Sequence, residues 1–349
     1  MKSSKLSNRK ILQVIDRLEV GGAERVFLDL TSLLLNQNVK TDTLLISGKG
    51  PLFEKIDGRA KKHFLSRKWK YNPLKIFQCA NICSKYDIVH IHMRHTYAYV
   101  RLAQILTFKK FKIVFHDHYG DIAIDAKVPF TLKWLFKPKY YIGVSLSLTD
   151  WATSRLNLDA QRIFLLRNTI IPSDNFIRLP SNNDLLMISN IRPTKNIEFA
   201  IQIANELRRK LTIYGNTTSS KYNEEIKNLI NASVYVEVIE GENNIQPFFK
   251  NYSLALHTAV SETGPLVLLE YIANGLPFLA YEVGEVAYLL KDEIPECFIK
   301  TLNISDWEEK ISFLTHTPPS PRKLVKLFEK YFGPDAYIRQ CLDIYNQIL

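Results

Sequence analysis

Glu262 stands near the start and Glu270 in the middle of a mostly apolar segment, "SETGPLVLLEYIANGLPFLAYEVGE" at residues 261–285. The segment predicts a helix with Pro265 in its first turn and Gly275 just past its end, so that Glu262 precedes the helix and Glu270 lies about one and a half turns along it. If the apolar faces are buried, Glu270 either lines a cleft or carries a buried charge that needs partners. In the alternative interpretation, Glu270 lies on the polar stripe of an amphipathic helix, and Glu262 is an acid near the helix N-terminus that the helix dipole stabilises. We favour the cleft interpretation.

Two basic residues lie in another turn, within "MISNIRPTKNIEFAIQIA" at residues 187–204. Arg192 and Lys195 follow a predicted strand and precede a predicted helix. An arginine can bind two oxygens at once and a lysine supplies a point charge, so the pair suits a diphosphate. Exposed basic residues in turns are usually solvated, and on these residues alone that alternative stays open.

A glycine pair, Gly21 and Gly22 in "RLEVGGAER" at residues 17–25, follows the first predicted strand and opens a helix. Glycines let backbone N–H groups approach an anion, and the N-terminus of the helix adds positive potential. The third glycine of a dinucleotide fingerprint is absent, and many such turns use glycine for geometry alone. The pair is therefore a candidate for anion binding, with a purely structural turn as the alternative.

The segment "VFHDHYGD" at residues 114–121 ends another predicted strand. His116, His118 and Asp121 could act there as a base, a hydrogen-bond donor or a metal site. We expect His116 and His118 to project to opposite faces of a continuing strand, which disfavours joint metal ligation and favours one functional histidine. His90 and His92 in "DIVHIHM" share a face and are interpreted as packing residues.

These residues must be positioned by strands that alternate with helices. The first half predicts a helix at 23–37 and strands at residues 10–16, 40–47, 62–66, 87–93, 111–117 and 140–145. After a turn-rich break, "NTIIPSDNFIRLPSNN" at 168–183, the second half repeats the pattern with "DLLMIS", "LTIYG", "VYVEVIE", "SLALHT" and "LPFLAY". Such alternation predicts parallel sheets covered by helices on both faces, with ligands outside the carboxyl ends of the strands.

The predicted fold is α/β, with two doubly wound Rossmann-like domains facing each other across a cleft. The first domain is expected at residues 1–170 and the second at 171–335. Two proline-containing breaks, at 315–322 and 332–337, precede the closing helices. We expect the last helix, 336–349, to cross back to the first domain.

Charge is distributed unevenly along the chain. The formal net charge of the 349 residues is +11, composed of +16 up to residue 170 and −5 beyond it. Basic clusters at 59–70, 109–112 and 133–139 favour contact with an anionic membrane or acceptor, because the last two mix cations with bulky apolar residues. Nucleic acid is the weaker interpretation, since no zinc-finger spacing or RNA-binding consensus is present, and a merely solvated basic surface is the remaining alternative.

Neither the cysteines nor the apolar runs indicate a secreted or membrane-spanning protein. Cys79, Cys83, Cys297 and Cys341 show no metal-ligand spacing and are interpreted as reduced structural thiols. No run approaches the roughly 18 apolar residues of a transmembrane helix. We expect an untargeted cytoplasmic protein, peripheral on the inner membrane face if it binds membrane at all.

With these motifs in order, the chain resembles the family-4 glycosyltransferases, which use nucleotide sugars, have the two-Rossmann-domain GT-B fold and retain anomeric configuration. The resemblance covers nearly the whole chain. It is carried by "GGAER" at 21–25, the histidine of "VFHDH", "VSLSLTDW" at 144–151, "LLRNTI" at 165–170, "SNIRPTKN" at 189–196 and the two glutamates with seven residues between them.

The resemblance implies roles for individual residues. Catalysis would involve Lys195 at the diphosphate, Glu262 at a hydroxyl of the donor sugar and His116 near the transferring sugar, while Glu270 would bind the ribose. The implied donor-binding set is Gly21, Gly22, Arg192, Lys195, Glu262, Thr263, Gly264, Pro265, Leu266, Val267 and Glu270. His118 and Asp121 are candidates on the acceptor side. No metal and no cofactor is implied, because the nucleotide sugar is itself a substrate.

Three positions depart from the family pattern. Ser189 and Asn190 stand where the family usually has Gly-Arg, and Arg192 is the candidate replacement for that arginine. Thr169 replaces a common glycine, and "ETGP" replaces the commoner Glu-Gly-Phe-Gly. These changes concern the identity of the donor more than the fold.

The function implied is transfer of a sugar, with retention and without metal, from a nucleoside-diphosphate sugar to an acceptor, expected to be a lipid-linked or cell-surface polysaccharide intermediate. The alternatives are a sugar-nucleotide epimerase or phosphorylase of the same fold, and a non-catalytic protein that binds nucleotide or membrane. A phosphorylase would need a cofactor lysine or phosphate site that the sequence does not reveal.

Overall fold

The chain forms two compact α/β units, Met1–Ile170 together with Pro334–Leu349 (unit 1) and Ile171–Gly333 (unit 2). The computed structural model describes residues 6, 8–69, 71–172, 182–216, 221–242 and 245–349. Residues 173–181 of the predicted turn-rich break lie outside the described residues. Each unit is built on one parallel sheet.

The sheet of unit 1 has seven strands in the order β3-β2-β1-β4-β5-β6-β7, and all of its pairs are parallel. The strands are β1 Lys10–Ile15, β2 Lys40–Leu45, β3 Lys62–Phe64, β4 Ile88–His92, β5 Lys112–Asp117, β6 Tyr140–Gly143 and β7 Ile163–Leu165. Strand order reverses between β1 and β4, so the carboxyl ends of these two strands flank the crevice where doubly wound sheets bind ligands.

Helices cover both faces of this sheet, as the alternation of the sequence predicted. They are α1 Gly22–Asn36, α2 Pro73–Cys83, α3 Arg94–Thr107, α4 Leu146–Ser154 and α11 Pro334–Ile348. Leu12 and Val14 of β1 pack toward α2, α3 and α4. Ile11, on the other face, packs in a cluster with Leu30 of α1 and Tyr345 of α11. Unit 1 therefore has one core on each side of its sheet.

The sheet of unit 2 has six parallel strands in the order β10-β9-β8-β11-β12-β13. They are β8 Leu185–Ile188, β9 Leu211–Tyr214, β10 Val236–Ile239, β11 Leu254–His257, β12 Phe278–Tyr281 and β13 Phe298–Ile299. The helices are α5 Ile197–Leu207, α6 Lys221–Asn231, α7 Leu266–Ala273, α8 Gly284–Leu290, α9 Ile304–His316 and α10 Pro321–Phe332. Here the order reverses between β8 and β11.

Helix α7 is the helix that the opening segment predicted. Pro265 is its N-cap rather than a residue of its first turn, a difference of one position. The helix ends where predicted, because Gly275 has φ +72°, a left-handed conformation that glycine adopts without strain. A Cβ on Gly275 would also lie 2.8 Å from Cβ of Pro321, so this position both ends α7 and lets α10 approach.

Two further sequence predictions concern the thiols and the membrane. All four cysteines are free and buried, as expected for structural thiols. Across the part of the chain that the structure describes, no helix combines the length and apolar character needed to cross a bilayer.

Candidate active site

The site in unit 2 forms where β8 and β11 lie side by side at the point of strand reversal. The chain leaves β8 into a 3-10 turn, Pro193–Lys195, and leaves β11 toward Glu262 and α7. Thr258 Oγ1 donates to the carbonyls of Lys195 and Asn196, each at 2.9 Å, and Val260 N donates to Thr194 O at 2.9 Å. These bonds hold the two loops against each other.

Close backbone packing brings a third loop to the same edge. A Cβ on Gly215, just after β9, would lie 1.9 Å from the carbonyl oxygen of Ser189. Asn216 N donates to Asn190 Oδ1 at 3.3 Å, and Ile191 N donates to Asn216 O at 3.2 Å. Only glycine lets these loops approach so closely, and the position of the turn that carries Lys195 depends on that contact.

The structure brings Lys195 and Glu262 together, although they are 67 residues apart in the sequence. Lys195 Nζ donates to Glu262 Oε1 in an ion pair whose side chains are 24% and 12% exposed. Nε2 of His257, at the end of β11, lies 3.6 Å from the same oxygen. Burial alone would raise the pKa of the Glu262 carboxyl, but Lys195 and His257 outweigh it and lower that pKa to about 2.

The N-terminal turn of α7 follows directly after this ion pair. Thr263 and Pro265 are buried, Gly264 is half-buried, and Glu285 N donates to the carbonyl of Thr263 at 2.8 Å. In the first turn Leu266 is buried and Val267 half-buried. The N–H groups that open a helix have no partners within it and carry positive potential, so this turn offers donors to an anion.

Glu270 is buried inside unit 2, with 5% of its surface exposed. This overturns the alternative that it lies on a solvent-facing polar stripe. Its neighbour Tyr271 accepts a hydrogen bond through its hydroxyl from Ile188 N, at 3.1 Å, so this part of α7 packs on the end of β8. Arg192, by contrast, is exposed and lies outside the contacts that join Lys195, His257 and Glu262.

At the corresponding edge of unit 1, the glycine pair opens α1 as predicted. Gly21 is the N-cap and the helix begins at Gly22, so the turn has no capping side chain. Phe27 of α1 lies edge-on to His92, with ring centroids 5.5 Å apart. The loop between β1 and α1 therefore sits at the same end of the sheet as the histidines.

Four histidines stack at the carboxyl ends of β4 and β5. His92 pairs with His116 in the register of the two strands, and His90 pairs with Gln13 of β1. The centroids of the His116 and His118 rings lie 4.1 Å apart, and those of His90 and His92 lie 4.7 Å apart. The expectation that His116 and His118 point to opposite faces was wrong, because residues two apart along an extended chain share a face.

Burial keeps these imidazoles neutral. It lowers the pKa of His90 and of His118 to about 3 and holds those of His92 and His116 well below the usual value, with neighbouring imidazoles adding to the effect. His90, His92 and His116 place one ring nitrogen each within 4.8 Å of one another. Both ring nitrogens of His90 and His92, and Nδ1 of His116, already make hydrogen bonds, which a metal ion would have to replace.

One ring nitrogen of the stack is different. Nε2 of His116 is buried and has no hydrogen-bond partner among the residues that the structure describes. A buried polar group left in this state costs about 1–3 kcal/mol, which a ligand oxygen or a water molecule would recover. His118 is half-buried, and Asp121 is half-buried in the turn that follows, where its carbonyl accepts from Asp125 N at 2.7 Å.

Two models of known protein families match the sequence of this chain. Residues 20–173 match the family model described as Glycosyltransferase Family 4, and residues 174–330 match the model described as Glycosyl transferases group 1. Together the two matches leave only the ends of the chain uncovered. The chain is a family-4 glycosyltransferase of the GT-B type.

Solved structures share the fold of this glycosyltransferase at low sequence identity. HepE of Anabaena has a TM-score of 0.80 at 14% identity, covering 97% of this chain and 100% of its own. A glycosyltransferase from Rickettsia africae has 0.76 at 16%, with 97% and 98% covered. The lipopolysaccharide outer core galactosyltransferase WaaB has 0.70 at 16%, with 97% and 100% covered. No curated protein sequence matches the chain.

Unit 1 of the glycosyltransferase also carries a basic groove at the opposite end of its sheet. The groove has a volume of about 880 Å³ and includes Tyr140 at the start of β6. Its cations come from the predicted clusters at 109–112 and 133–139 and from α3: Arg101, Lys109, Lys110, Lys112, Lys137 and Lys139. Phe108 beside it is 90% exposed, and Trp134 in the second cluster is 67% exposed.

Sequence reasoning missed three polar residues that the glycosyltransferase places at these edges. His257 ends β11 in "LALHT", and its position at a strand end was a usable signal. Gln13 lies inside β1, where a polar residue among apolar ones at 0% exposure marks a buried hydrogen-bonding role. Tyr345 gave no local signal, because its partners are more than 250 residues away.

Proposed function

We propose that this glycosyltransferase moves a sugar from a nucleoside-diphosphate sugar to a glycan or glycolipid acceptor, with retention of anomeric configuration. The observation that carries the proposal is the half-buried Lys195–Glu262 ion pair beside the N-terminal turn of α7. HepE of Anabaena, which has the same fold, was crystallised with UDP and glucose, and it supports a nucleotide sugar as the donor.

Each part of this edge has a task in the proposed reaction. Lys195 and the backbone N–H groups of Gly264, Leu266 and Val267 stabilise the negative charge that develops on the departing diphosphate. Glu262, kept ionised by its partners, accepts a hydrogen bond from a hydroxyl of the donor sugar. Glu270 binds the ribose hydroxyls, and Arg192, being exposed, is free to swing onto a bound phosphate.

Retention follows from where the acceptor attacks. The bond between the sugar carbon and the diphosphate oxygen breaks and leaves a positively charged sugar shielded on one face. The acceptor oxygen bonds to that carbon from the side that the diphosphate vacates, and its proton passes to an oxygen of the departing diphosphate. No carboxylate nucleophile is required by this course. Lys195 and α7 supply positive charge where the leaving group departs, so we propose that neither a metal ion nor an organic cofactor takes part.

The acceptor side of the proposal rests on unit 1. The basic groove and its exposed aromatic residues have the chemistry of a surface that meets anionic headgroups, with cations for phosphate and rings for the interface. We propose a lipid-linked or cell-surface polysaccharide intermediate as acceptor, and a cytoplasmic enzyme that contacts the inner face of the membrane through this groove. His118 and Asp121 are the candidate residues nearest the acceptor, and nucleic acid is not a proposed partner.

A donor panel tests the activity. The purified chain is incubated with UDP-, GDP- and ADP-sugars, with and without glycolipid acceptors and with EDTA, and products are identified by mass spectrometry together with their anomeric configuration. We expect transfer from one class of donor, and the new linkage should keep the axial or equatorial configuration of the donor. EDTA should not lower the activity. Phosphorolysis or isomerisation of the donor alone would instead identify a phosphorylase or an epimerase.

Glu270→Ala tests the ribose assignment. Loss of a hydrogen bond to a charged group costs about 1.5–3 kcal/mol, so the Kd of the donor should rise roughly 10- to 150-fold in calorimetry. Glu293→Ala is the matched control, because Glu293 also belongs to unit 2 but pairs with Lys330 at the surface. Equal donor affinity in both variants contradicts the assignment.

A further inference from the structure

The four stacked histidines belong to a chain of hydrogen bonds with two branches, both of which start at one amide. Gln13 Oε1 lies 2.7 Å from His92 Nε2, and Gln13 Nε2 lies 3.2 Å from the hydroxyl of Tyr345. From there one branch runs outward, from His92 Nδ1 to His118 Nε2 at 2.9 Å. The other runs through Tyr345 to His90 Nδ1 at 2.7 Å and from His90 Nε2 to His116 Nδ1 at 3.0 Å.

The direction of every bond in this chain follows from the amide. The oxygen of Gln13 can only accept, so His92 carries its proton on Nε2, and its Nδ1 must then accept from His118 Nε2. The nitrogen of Gln13 can only donate, so the hydroxyl of Tyr345 accepts from it. The hydroxyl also contacts the Cys341 thiol, but it donates its own proton to His90 Nδ1, at 2.7 Å, because an imidazole nitrogen is a stronger acceptor than sulfur. These assignments hold for neutral imidazoles, the state that burial enforces here.

The second branch ends at the unpartnered nitrogen. Because His90 Nδ1 accepts, its proton is on Nε2 and is donated to His116 Nδ1. His116 must then carry its own proton on Nε2, the buried atom without a partner among the described residues. The first branch ends at His118, whose Nδ1 is left with a lone pair. One sheet edge thus offers a donor on His116 and an acceptor on His118.

We propose that Gln13 and Tyr345 are positioning residues that hold all four histidines in the Nε2–H tautomer, so that His116 presents a fixed N–H donor to an oxygen of the substrate. A neutral donor binds a sugar hydroxyl or a carbonyl oxygen without adding a charge. The binding of a substrate oxygen by this N–H group rests on the proposed function. The assignment of the tautomers does not depend on it.

A reversed amide would invert the whole chain. With nitrogen toward His92 and oxygen toward Tyr345, every donor becomes an acceptor and all four rings carry their protons on Nδ1. The orientation of the Gln13 amide therefore decides the state of an imidazole on another strand. This also explains why Tyr345, on a helix far along the chain, has its hydroxyl inserted between a glutamine and a histidine.

Nuclear magnetic resonance reads the tautomers directly. In the full chain labelled with ¹⁵N-histidine at pH 7, we expect long-range ¹H–¹⁵N spectra to show Nε2–H for His90, His92, His116 and His118. An Nδ1–H pattern or an imidazolium at His116 overturns the proposal. This readout requires no substrate and is unaffected if no transfer activity is found.

Tyr345→Phe separates the two branches. It removes the hydroxyl that dictates the state of His90, so His90 and His116 should become mixtures of both tautomers, while His92 and His118, held by Gln13 Oε1, stay Nε2–H. Tyr337→Phe is the matched control, since Tyr337 is buried on the same helix with a hydroxyl that has no partner within the described part of the chain. The control should leave all four rings unchanged.

Kinetics complete the test. With the donor identified by the panel above, kcat/KM for transfer should fall about tenfold in Tyr345→Phe and remain within twofold in Tyr337→Phe, since one hydrogen bond of about 1.4 kcal/mol corresponds to tenfold. Thermal melting of both variants identifies a merely structural effect. Unchanged tautomers in Tyr345→Phe overturn the positioning role. Changed tautomers with unchanged kinetics overturn the contact between His116 and the substrate.

Discussion

The two sheet edges hold their polar residues by different physical means. In unit 2 a lysine and a glutamate form a half-buried ion pair, and the loops that carry them are joined by backbone contacts. In unit 1 four imidazoles are kept neutral and are joined by side-chain hydrogen bonds. The candidate residues of unit 2 are thus charged, while those of unit 1 are neutral rings beside a separate ion pair of Arg94 with Asp117.

In the proposed reaction, this difference would suit two tasks. A departing diphosphate needs positive charge that is already in place, which the Lys195 edge supplies. A neutral hydroxyl needs donors and acceptors of fixed direction, which the histidine edge supplies without attracting a second anion. The same topological position, the reversal point of a doubly wound sheet, therefore serves electrostatics in one unit and hydrogen-bond direction in the other.

A fall in pH should destabilise the histidine edge of unit 1 before the Lys195 edge of unit 2. This is the largest of the expected effects. The histidines are neutral when folded, with pKa values lowered below the 6.5 of a free histidine, so the unfolded chain takes up protons first and unit 1 loses stability as the pH falls below about 6.5. Each histidine lowers the free energy of unfolding by up to about 1.4 kcal/mol per pH unit, and the four together lower it by roughly 5 kcal/mol per pH unit. The contribution of Glu262 is present above about 4.5 and is lost only as the pH falls toward 2.

Hydrogen exchange read by mass spectrometry measures this separation. Opening free energies for peptides of β4 and β5 should fall between pH 6.5 and 5, while those of α7 stay constant. Glu262→Gln should leave the unit 1 profile unaltered and remove part of the loss below pH 4.5. Equal loss of protection in both units between pH 6.5 and 5 would show that the stack is not the acid-sensitive element.

Lys195→Ala should remove the ion pair at the sheet edge of unit 2. It removes the cation at the diphosphate, and losses of this kind lower kcat about 100- to 1,000-fold, or roughly 2.7–4 kcal/mol. It also leaves Glu262 buried without its main partner, so the melting temperature should fall. Steady-state transfer assays and thermal melts measure the two effects separately.

The control for this variant is Lys221→Ala. Lys221 and Glu225 form an ion pair on α6 in which both side chains are exposed, and such a pair contributes about 0.5 kcal/mol or less. Kinetics and melting should therefore stay close to those of the unchanged chain. If Lys195→Ala behaved in the same way, the charged edge would have no role in the reaction.

Gly215→Ala should give the smallest of the three effects and tests the backbone contacts of unit 2. The added Cβ would meet the carbonyl of Ser189, which is backbone and cannot rotate away, so the loops must move apart at a cost of about 1–3 kcal/mol. Gly58→Ala, where no atom lies within 4 Å, is the control. Denaturant titration of both variants gives the comparison, and equal midpoints would mean that the contact does not hold the loops.

The sequence predicted the sheets well where the strands were long enough to show a pattern. The apolar runs of β1, β4, β5 and β11 identified them and placed the functional candidates at their ends. Strands β7 and β13 were missed because they show neither alternation nor a long apolar run, whereas β3, which is also only three residues long, lies within the strand predicted at 62–66. The positions of Pro265 and Gly275 were predicted within one residue, since helix ends carry local signals.

The contacts within the sites could not be predicted in the same way. Lys195 and Glu262 were each expected at strand ends, but their pairing depends on β8 and β11 being neighbours, which is a property of strand order. The histidine stack depends on the register of three strands and on a tyrosine from α11. Interactions between residues so distant in the chain leave no pattern that periodicity can detect.

Helix α11 imposes an order of assembly on the nascent chain. Its residues leave the ribosome after every strand of both sheets, although they complete the core of the unit whose strands are made first. Unit 2 therefore has its whole chain before unit 1 does. Until residue 334 and those after it emerge, the face of the first sheet that carries Ile11 and His90 is covered by α1 but lacks α11. A chain stalled at this stage should bind chaperones through that face.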